Sequence, residues 1–345
     1  MVHRSKLSLS IFFLAFFFLP RIAQGAQLAR MRMTMGAWLE IEVTAKDPGL
    51  LAPALETAFS EVDRWDKLLS NFKEDSEISQ INRNAYPQAV TVSSDVFKFV
   101  EKSKFWSIAT HNAFAIGIKP LTDLWHLRSP KPERLPRSKE LTAALERIDP
   151  KLILTSSAGY TIQFLKPGMG LDTGGIGKGY ALDQALTQLS AYALESVTFN
   201  FGGEILYWSR APIKREVQVR HPINPDQFWK VITLDPNRIS TAVSTSGNYY
   251  RSANVSDKPG HLINPQTGKP AGQQMRSVTV FAANATDADA LSTALFVLEP
   301  KTAQTFADAQ KESAALLIYS DQKGRLQEYC GGAWKNFVIS NGELK

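Results

Sequence analysis

Apolar and polar positions alternate between residues 37 and 43. Leu39, Ile41 and Val43 fall on one side and Trp38, Glu40 and Glu42 on the other, the period of a half-buried strand. The period then changes. Across residues 51–69, Leu55, Ala58, Phe59, Val62, Trp65 and Leu69 recur at three- and four-residue steps, which predicts an amphipathic helix. A short helical or looped stretch around Ile78 and Ile81 follows, and then a helix capped by Ser94 and carrying Phe97, Val100 and Phe105. Residues 113–121 hold an interior glycine and proline and are not regular helix, and residues 128–139, with three prolines and five basic residues, read as an exposed loop. Beyond it strands are predicted at 160–165, 197–201, 216–220, 231–234, 277–281 and 314–319. Helices are predicted at 176–189, 287–298 and 302–310. Hairpin-like strand pairs mixed with single helices favour α+β over a doubly wound parallel sheet. There is no internal repeat and no low-complexity segment.

The first 25 residues break this pattern. Arg4 and Lys6 precede an apolar run from Leu7 to Leu19, followed by Ala23, Gln24 and Gly25, small residues where a signal peptidase cuts. Residues 1–25 are therefore expected to be a cleavable signal peptide and 26–345 one exported, periplasmic domain. The alternative is an uncleaved anchor, for which the run is short. No cysteine follows the run, which argues against a lipid anchor. Without these residues 36 basic face 33 acidic side chains, a net charge of +3, too mild for a nucleic-acid partner. Cys330 is the only cysteine, so neither an intrachain disulfide nor cysteine-based metal or redox chemistry is available. At 345 residues and 44% hydrophobic, the chain can rely on core burial.

The candidate chemistry gathers in four stretches. Residues 171–183 contain glycines at 174, 175, 177 and 179 between Asp172 and Lys178 and lead into a helix. Free N–H groups at a helix start suit an anion, and a packing turn between strand and helix explains the run equally well. It is not a P-loop, because Gly179 follows Lys178 and Asp172 stands where the first glycine belongs; nor is the spacing that of a dinucleotide fingerprint. There is no Gly-x-Ser-x-Gly elbow, and the five histidines lack metal spacing. Residues 244–247 set three hydroxyls before Gly247, suited to phosphate or ribose or to a solvent-facing turn. Residues 261–270 form a turn with His261 at its mouth, a structural histidine or a base working near neutral pH. In the fourth stretch Thr286 and Asp289 resemble a capping box. Asp289 with Ser292 and Thr293 would otherwise make half of a hard-cation site of the Mg²⁺ type. Together the stretches equip a site for chemistry at a pyrophosphate.

In this order and spacing the sequence resembles the ApbE family of FAD:protein FMN transferases. The likeness runs from Thr34-Met35-Gly36, through Ser70-Asn71-Phe72, Asp75-Ser76-Glu77-Ile78-Ser79 and Trp125, to the four stretches above. It implies a mixed, largely antiparallel α+β fold with flanking helices and a flavin site in a cleft between two subdomains. The implied enzyme takes FAD and Mg²⁺, transfers the FMN half to a Thr or Ser hydroxyl of an acceptor protein, and releases AMP. The acceptor would carry a flavinylation motif and be a membrane-associated redox protein. Met35, Phe72, Ala113, Phe114, Ala115, Asp172, Lys178 and Ile263 are implied as FAD contacts. Gly175 through its carbonyl, Asp289, Ser292 and Thr293 are implied as metal ligands, and His261 as the group that activates the acceptor hydroxyl. Two positions depart from the family pattern. Phe72 replaces a tyrosine and keeps the stacking face without its hydroxyl, and Ala115 replaces an acid. A FAD pyrophosphatase yielding FMN and AMP and a non-catalytic periplasmic flavin binder are the competing readings.

Overall fold

A computed structural model describes residues 25–127, 134–224, 226–247 and 262–342. The signal segment apart from Gly25, the first part of the basic loop, and His261 lie outside the described residues.

The chain forms β1 (Ala26–Thr34) and β2 (Ala37–Ala45), then α1 (Leu51–Leu69), α2 (Glu77–Asn84), β3 (Val90–Thr91), α3 (Ser94–Ala109), α4 (Lys119–Leu124) and α5 (Ser138–Leu145). It continues through β4 (Ile153–Ser156), β5 (Thr161–Phe164), α6 (Gly177–Leu189), β6 (Leu194–Phe201), β7 (Glu204–Ser209), β8 (Glu216–Arg220), β9 (Phe228–Leu234) and β10 (Ser240–Gly247). The last part comprises β11 (Met275–Ala282), α7 (Ala285–Val297), α8 (Pro300–Asp308), β12 (Ser313–Ser320), β13 (Leu326–Gly332), α9 (Trp334–Phe337) and β14 (Val338–Gly342).

Eight strands make one sheet in the order β1-β2-β6-β7-β10-β11-β12-β13, every neighbouring pair antiparallel. Two hairpins explain its regular half. Thr34 pairs with Ala37 and Phe201 with Glu204, leaving two-residue turns at Met35-Gly36 and Gly202-Gly203, all four residues at positive φ. That conformation matches the right-handed twist of the strands it joins. Two three-stranded sheets, β14-β9-β8 and β3-β5-β4, complete the strand set.

Helices α1, α6 and α7 pack together on one face of the large sheet and bury the main core, including Leu39, Ile41, Val43, Phe59, Trp65, Phe199 and Phe201. A second core, with Val243, Phe281 and Leu316 against Ile232, Leu234 and Phe337, joins the opposite face to the sheet of β8, β9 and β14. A satellite cluster of Leu121, Trp125, Ala144, Ile148 and Ile263 ties α4 and α5 to the turn after residue 261. Helix α7 is apolar nearly all round and correspondingly buried, so the polar groups it carries need partners inside the protein.

The α+β class and the antiparallel pairing agree with the sequence reading, and several local expectations are corrected. The cap of α3 is Ser93, whose Oγ accepts from the Val96 N–H, rather than Ser94. Helix α7 is capped by Asn284 accepting from Asp287, so Thr286 lies inside the first turn and no capping box with Asp289 forms. Residues 240–247 are an interior strand rather than a turn. None of the glycines at 174, 175, 177 and 179 has a positive φ, so conformational freedom is not why they are there.

Candidate functional site

The site is assembled where α6 meets α7. Gly179 lies one turn into α6, and a Cβ placed on it would sit 2.3 Å from the Ala285 carbonyl oxygen and 2.7 Å from Glu204 Oε1. The two helices therefore touch backbone to backbone, and only glycine fits. Closeness brings the Gly179 N–H to Asp289 Oδ2 at 3.2 Å, from one helix to the side chain of the other. Gly175 shows the same close fit. Its Cβ position lies 3.0 Å from Thr293 Cγ2, 3.1 Å from Thr293 Oγ1 and 3.4 Å from the Phe114 ring. At Gly175 and Gly179 the glycine run is thus shaped by clearance from Thr293 and from Ala285 and Glu204.

Asp183, farther along α6, locks this contact. Its carboxylate accepts from the Ala285 and Thr286 N–H groups at 2.8 Å each and from the Thr286 hydroxyl, holding the start of α7 on α6. Burial pushes this carboxyl up to about 6, against the three hydrogen bonds that favour its charge.

Lys178 enters the same space from α6. Its ammonium lies 2.8 Å from Glu204 Oε2 and 3.6 Å from Asp289 Oδ2, while Asp289 is only 5% exposed and Glu204 3%. The two carboxylates raise the lysine above its usual range despite the cost of desolvation. Burial and the charge of Asp289 push the Glu204 carboxyl above the usual carboxylate range, and the Lys178 ammonium beside it pulls the other way. Glu204 Oε1 is buried without a hydrogen-bond partner.

On α7 the Thr293 hydroxyl lies 3.5 Å from the Gly175 carbonyl oxygen, one helical turn beyond Asp289 and on its face. Ser292 points elsewhere. Its Oγ lies 3.2 Å from Ser244 Oγ and 2.9 Å from Ser246 Oγ and donates to the Asp289 carbonyl at 3.1 Å, so β10 and its own helix engage it.

The predicted flavin contacts surround this centre unequally. Met35 occupies the β1–β2 turn with φ 45°, and its Cε comes within 3.7 Å of the Gly177 Cβ position. Asp172 Oδ1 accepts the Gly174 N–H at 3.0 Å and its Oδ2 the Thr122 hydroxyl at 3.0 Å, which fixes the strand-to-helix bend. Asn71 lies 2.9 Å from Thr173 Oγ1, placing the neighbouring Phe72 near the bend with its ring 77% exposed. Ala113, Phe114 and Ala115 are buried, and the Phe114 ring lies 3.4 Å from the Gly175 Cβ position. Ile263 packs its side chain into the satellite cluster beside Trp125, whose indole N–H donates to the Gly268 carbonyl at 2.6 Å. His261 lies two residues before it, outside the described residues.

Glu204 and Asp183 were not singled out from the sequence. The usable signals were an acid in the core-facing register of β7, with Leu206 two residues on, and an acid among the apolar residues of α6.

The Gly175 carbonyl and the Thr293 hydroxyl, 3.5 Å apart, and the Asp289 carboxylate one turn before Thr293 on α7 are hard oxygens, suited to a cation such as Mg²⁺ rather than to a soft metal. Among the described residues no group of three or more His, Cys, Asp or Glu side chains could hold a metal. A cation here would thus rely on one carboxylate with backbone and hydroxyl oxygens. A helix start, a lysine and hard oxygen donors are together the kind of chemistry suited to a phosphorylated ligand.

The model of the ApbE family matches residues 35–318, and the chain belongs to that family. It is 28% identical over 324 residues to the FAD:protein FMN transferase of Treponema pallidum, covering 88% of this chain and 87% of that one. It is 25% identical over 313 residues to the enzyme of the same name from Escherichia coli K12, covering 89% and 88%. Among solved structures, the ApbE protein of Thermotoga maritima superposes with a TM-score of 0.78 at 25% identity, covering 91% of this chain and all of that one. The flavin transferase ApbE of Vibrio cholerae superposes with a TM-score of 0.75 at 25% identity, covering 91% and 99%.

Proposed function

We propose that the chain is a FAD:protein FMN transferase that takes FAD as substrate and joins its FMN half to a protein acceptor. The observation that carries this reading is the meeting of Gly175, Lys178, Asp289 and Thr293 at the α6–α7 contact, in a chain that belongs to this family.

The finer proposals follow from the chemistry of these residues. The acceptor is a Thr or Ser hydroxyl, whose oxygen attacks the phosphorus of the FMN half. The P–O bond to the other phosphate breaks and AMP leaves, while His261 takes the hydroxyl proton. Gly175 through its carbonyl, Asp289 and Thr293 would hold Mg²⁺, and Ser292, whose hydroxyl is engaged by Ser244, Ser246 and the Asp289 carbonyl, could add only its own carbonyl. An ion held by these residues would supply charge neutralisation at the pyrophosphate and at the leaving phosphate. Lys178 adds a fixed positive charge beside it. Asp172, Met35 and Phe72 position the flavin, with Phe72 supplying a face for the isoalloxazine ring. The remaining implied contacts, Ala113, Phe114, Ala115 and Ile263, line or support that pocket. Residues 1–25 direct export to the periplasm, where a membrane-associated redox protein is the acceptor.

The test is incubation with FAD, Mg²⁺ and a candidate acceptor peptide, read by mass spectrometry. An adduct of FMN mass on a Thr or Ser supports transfer. Free FMN with AMP and no adduct supports the pyrophosphatase reading instead, and unchanged FAD supports binding alone.

A further inference from the structure

We infer that Glu204 is a positioning residue: it draws the Lys178 ammonium away from Asp289 and so keeps the Asp289 carboxylate available to a divalent cation. The inference rests on the reading of Gly175, Asp289 and Thr293 as cation donors.

Two buried carboxylates share one ammonium. Glu204 Oε2 is 2.8 Å from Lys178 Nζ and Asp289 Oδ2 is 3.6 Å away, so at equal screening the pull of Asp289 is roughly a fifth weaker. Neither acid can rearrange freely. Asp289 Oδ2 is tethered by the Gly179 N–H at 3.2 Å, and Glu204 opens β7 directly after the Gly202-Gly203 turn in the register that faces the helices. Lys178 and Asp289 sit on adjacent helices in direct contact, so without Glu204 nothing in the ion triad would oppose closure of the lysine onto Asp289. A charge-paired Asp289 would be a poor cation ligand.

The other oxygen of Glu204 points to the same role. Oε1 is buried with no hydrogen-bond partner among the described residues, so the Lys178 ammonium at Oε2 is what engages this carboxylate. It is pressed against Gly179, where an added Cβ would lie 2.7 Å from it. The side chain thus enters the helix contact with Lys178 as its hydrogen-bond partner among the described residues.

The experiment is a double-mutant cycle on Mn²⁺ binding to the full chain without FAD, followed by electron paramagnetic resonance, with Glu204→Gln, Lys178→Met and their combination. Glu204→Gln is expected to weaken Mn²⁺ roughly tenfold or more, the scale of lost support around a metal ligand. Lys178→Met in that background should restore affinity to within about threefold of the parent, and should change it far less in the parent background. An additive cycle, with Lys178→Met acting by the same factor in both backgrounds, overturns the inference, as does unchanged affinity in Glu204→Gln. If Glu204→Gln fails to fold, Glu204→Asp takes its place in the cycle; it keeps the charge but withdraws it from Lys178, and the same criteria apply. Asp289→Asn separates the two levels. Mn²⁺ binding equal to the parent in that variant removes the cation reading itself, whereas binding lost in Asp289→Asn with an additive cycle removes only the role of Glu204.

Discussion

Replacing Gly179 with alanine tests the helix contact on which the site is built. The new methyl would lie 2.3 Å from the Ala285 oxygen, 2.6 Å from its carbonyl carbon and 2.7 Å from Glu204 Oε1, where real Cβ contacts essentially never fall below 3.0 Å. Helix α7 must therefore back away from α6 by at least 0.7 Å, the gap between those two limits. It is not free to do so, because Asp183 holds the Ala285 and Thr286 N–H groups at 2.8 Å. Alanine in a helix interior gains roughly 0.5–1 kcal/mol over glycine. Overpacking costs roughly 1–3 kcal/mol, and each weakened hydrogen bond adds up to about 1 kcal/mol. The balance is a net loss of about 1–3 kcal/mol, seen as a lower urea midpoint. The same shift carries Asp289 and Thr293 away from Lys178 and Gly175, and a displacement near 1 Å in a positioned site costs roughly 100-fold in rate. FMN-adduct formation at saturating FAD and Mg²⁺ should fall on that scale. A variant as stable as the parent and equally fast would refute the claim that the glycine is there for clearance.

Three further outcomes are expected. Asp289→Ala should lower metal-dependent turnover by at least roughly 100-fold, reflecting the several kcal/mol a bound metal supplies; full activity in the adduct assay would remove Asp289 from the donor set. Phe72→Ala should weaken FAD binding about 3- to 10-fold in a flavin fluorescence titration, the value of an aromatic contact, while stability stays within about 0.5 kcal/mol because the ring is exposed. Asp183→Asn should change the pH dependence of stability. The folded carboxyl, raised to about 6 from an ordinary 3.8, binds more protons than the unfolded one between those values, so its contribution falls as pH rises from 4 through 6 and is flat above. The advantage of the parent over Asp183→Asn should shrink across that window by up to roughly 3 kcal/mol, and urea melts at pH 4.5 and 7 giving equal margins would contradict the assignment.

Local patterning alone determined much of the framework. The alternation in 37–43 is β2, the three- and four-residue spacing in 51–69 is α1, and the glycine run does open a helix, because each signal depends only on which face of one element meets the core. The order and spacing of the polar stretches were likewise enough to indicate the family. Other features had no local signature. Residues 244–247 set three hydroxyls before a glycine and suit a phosphate contact or a solvent-facing turn by sequence, but they end an interior strand between β7 and β11 whose Ser244 and Ser246 hydroxyls meet Ser292. The glycines suggest flexible backbone, yet none of the four has a positive φ; at Gly175 and Gly179 what demands glycine is the close approach of α7. Glu204 in the core-facing register of β7 and Asp183 among the apolar residues of α6 meet their partners, Lys178 and the start of α7, only when the fold closes. Periodicity encodes which side of an element is buried. The identity of the neighbour and the space left beside it are set only when distant segments pack, and the arrangement at the α6–α7 contact belongs to that second kind of information.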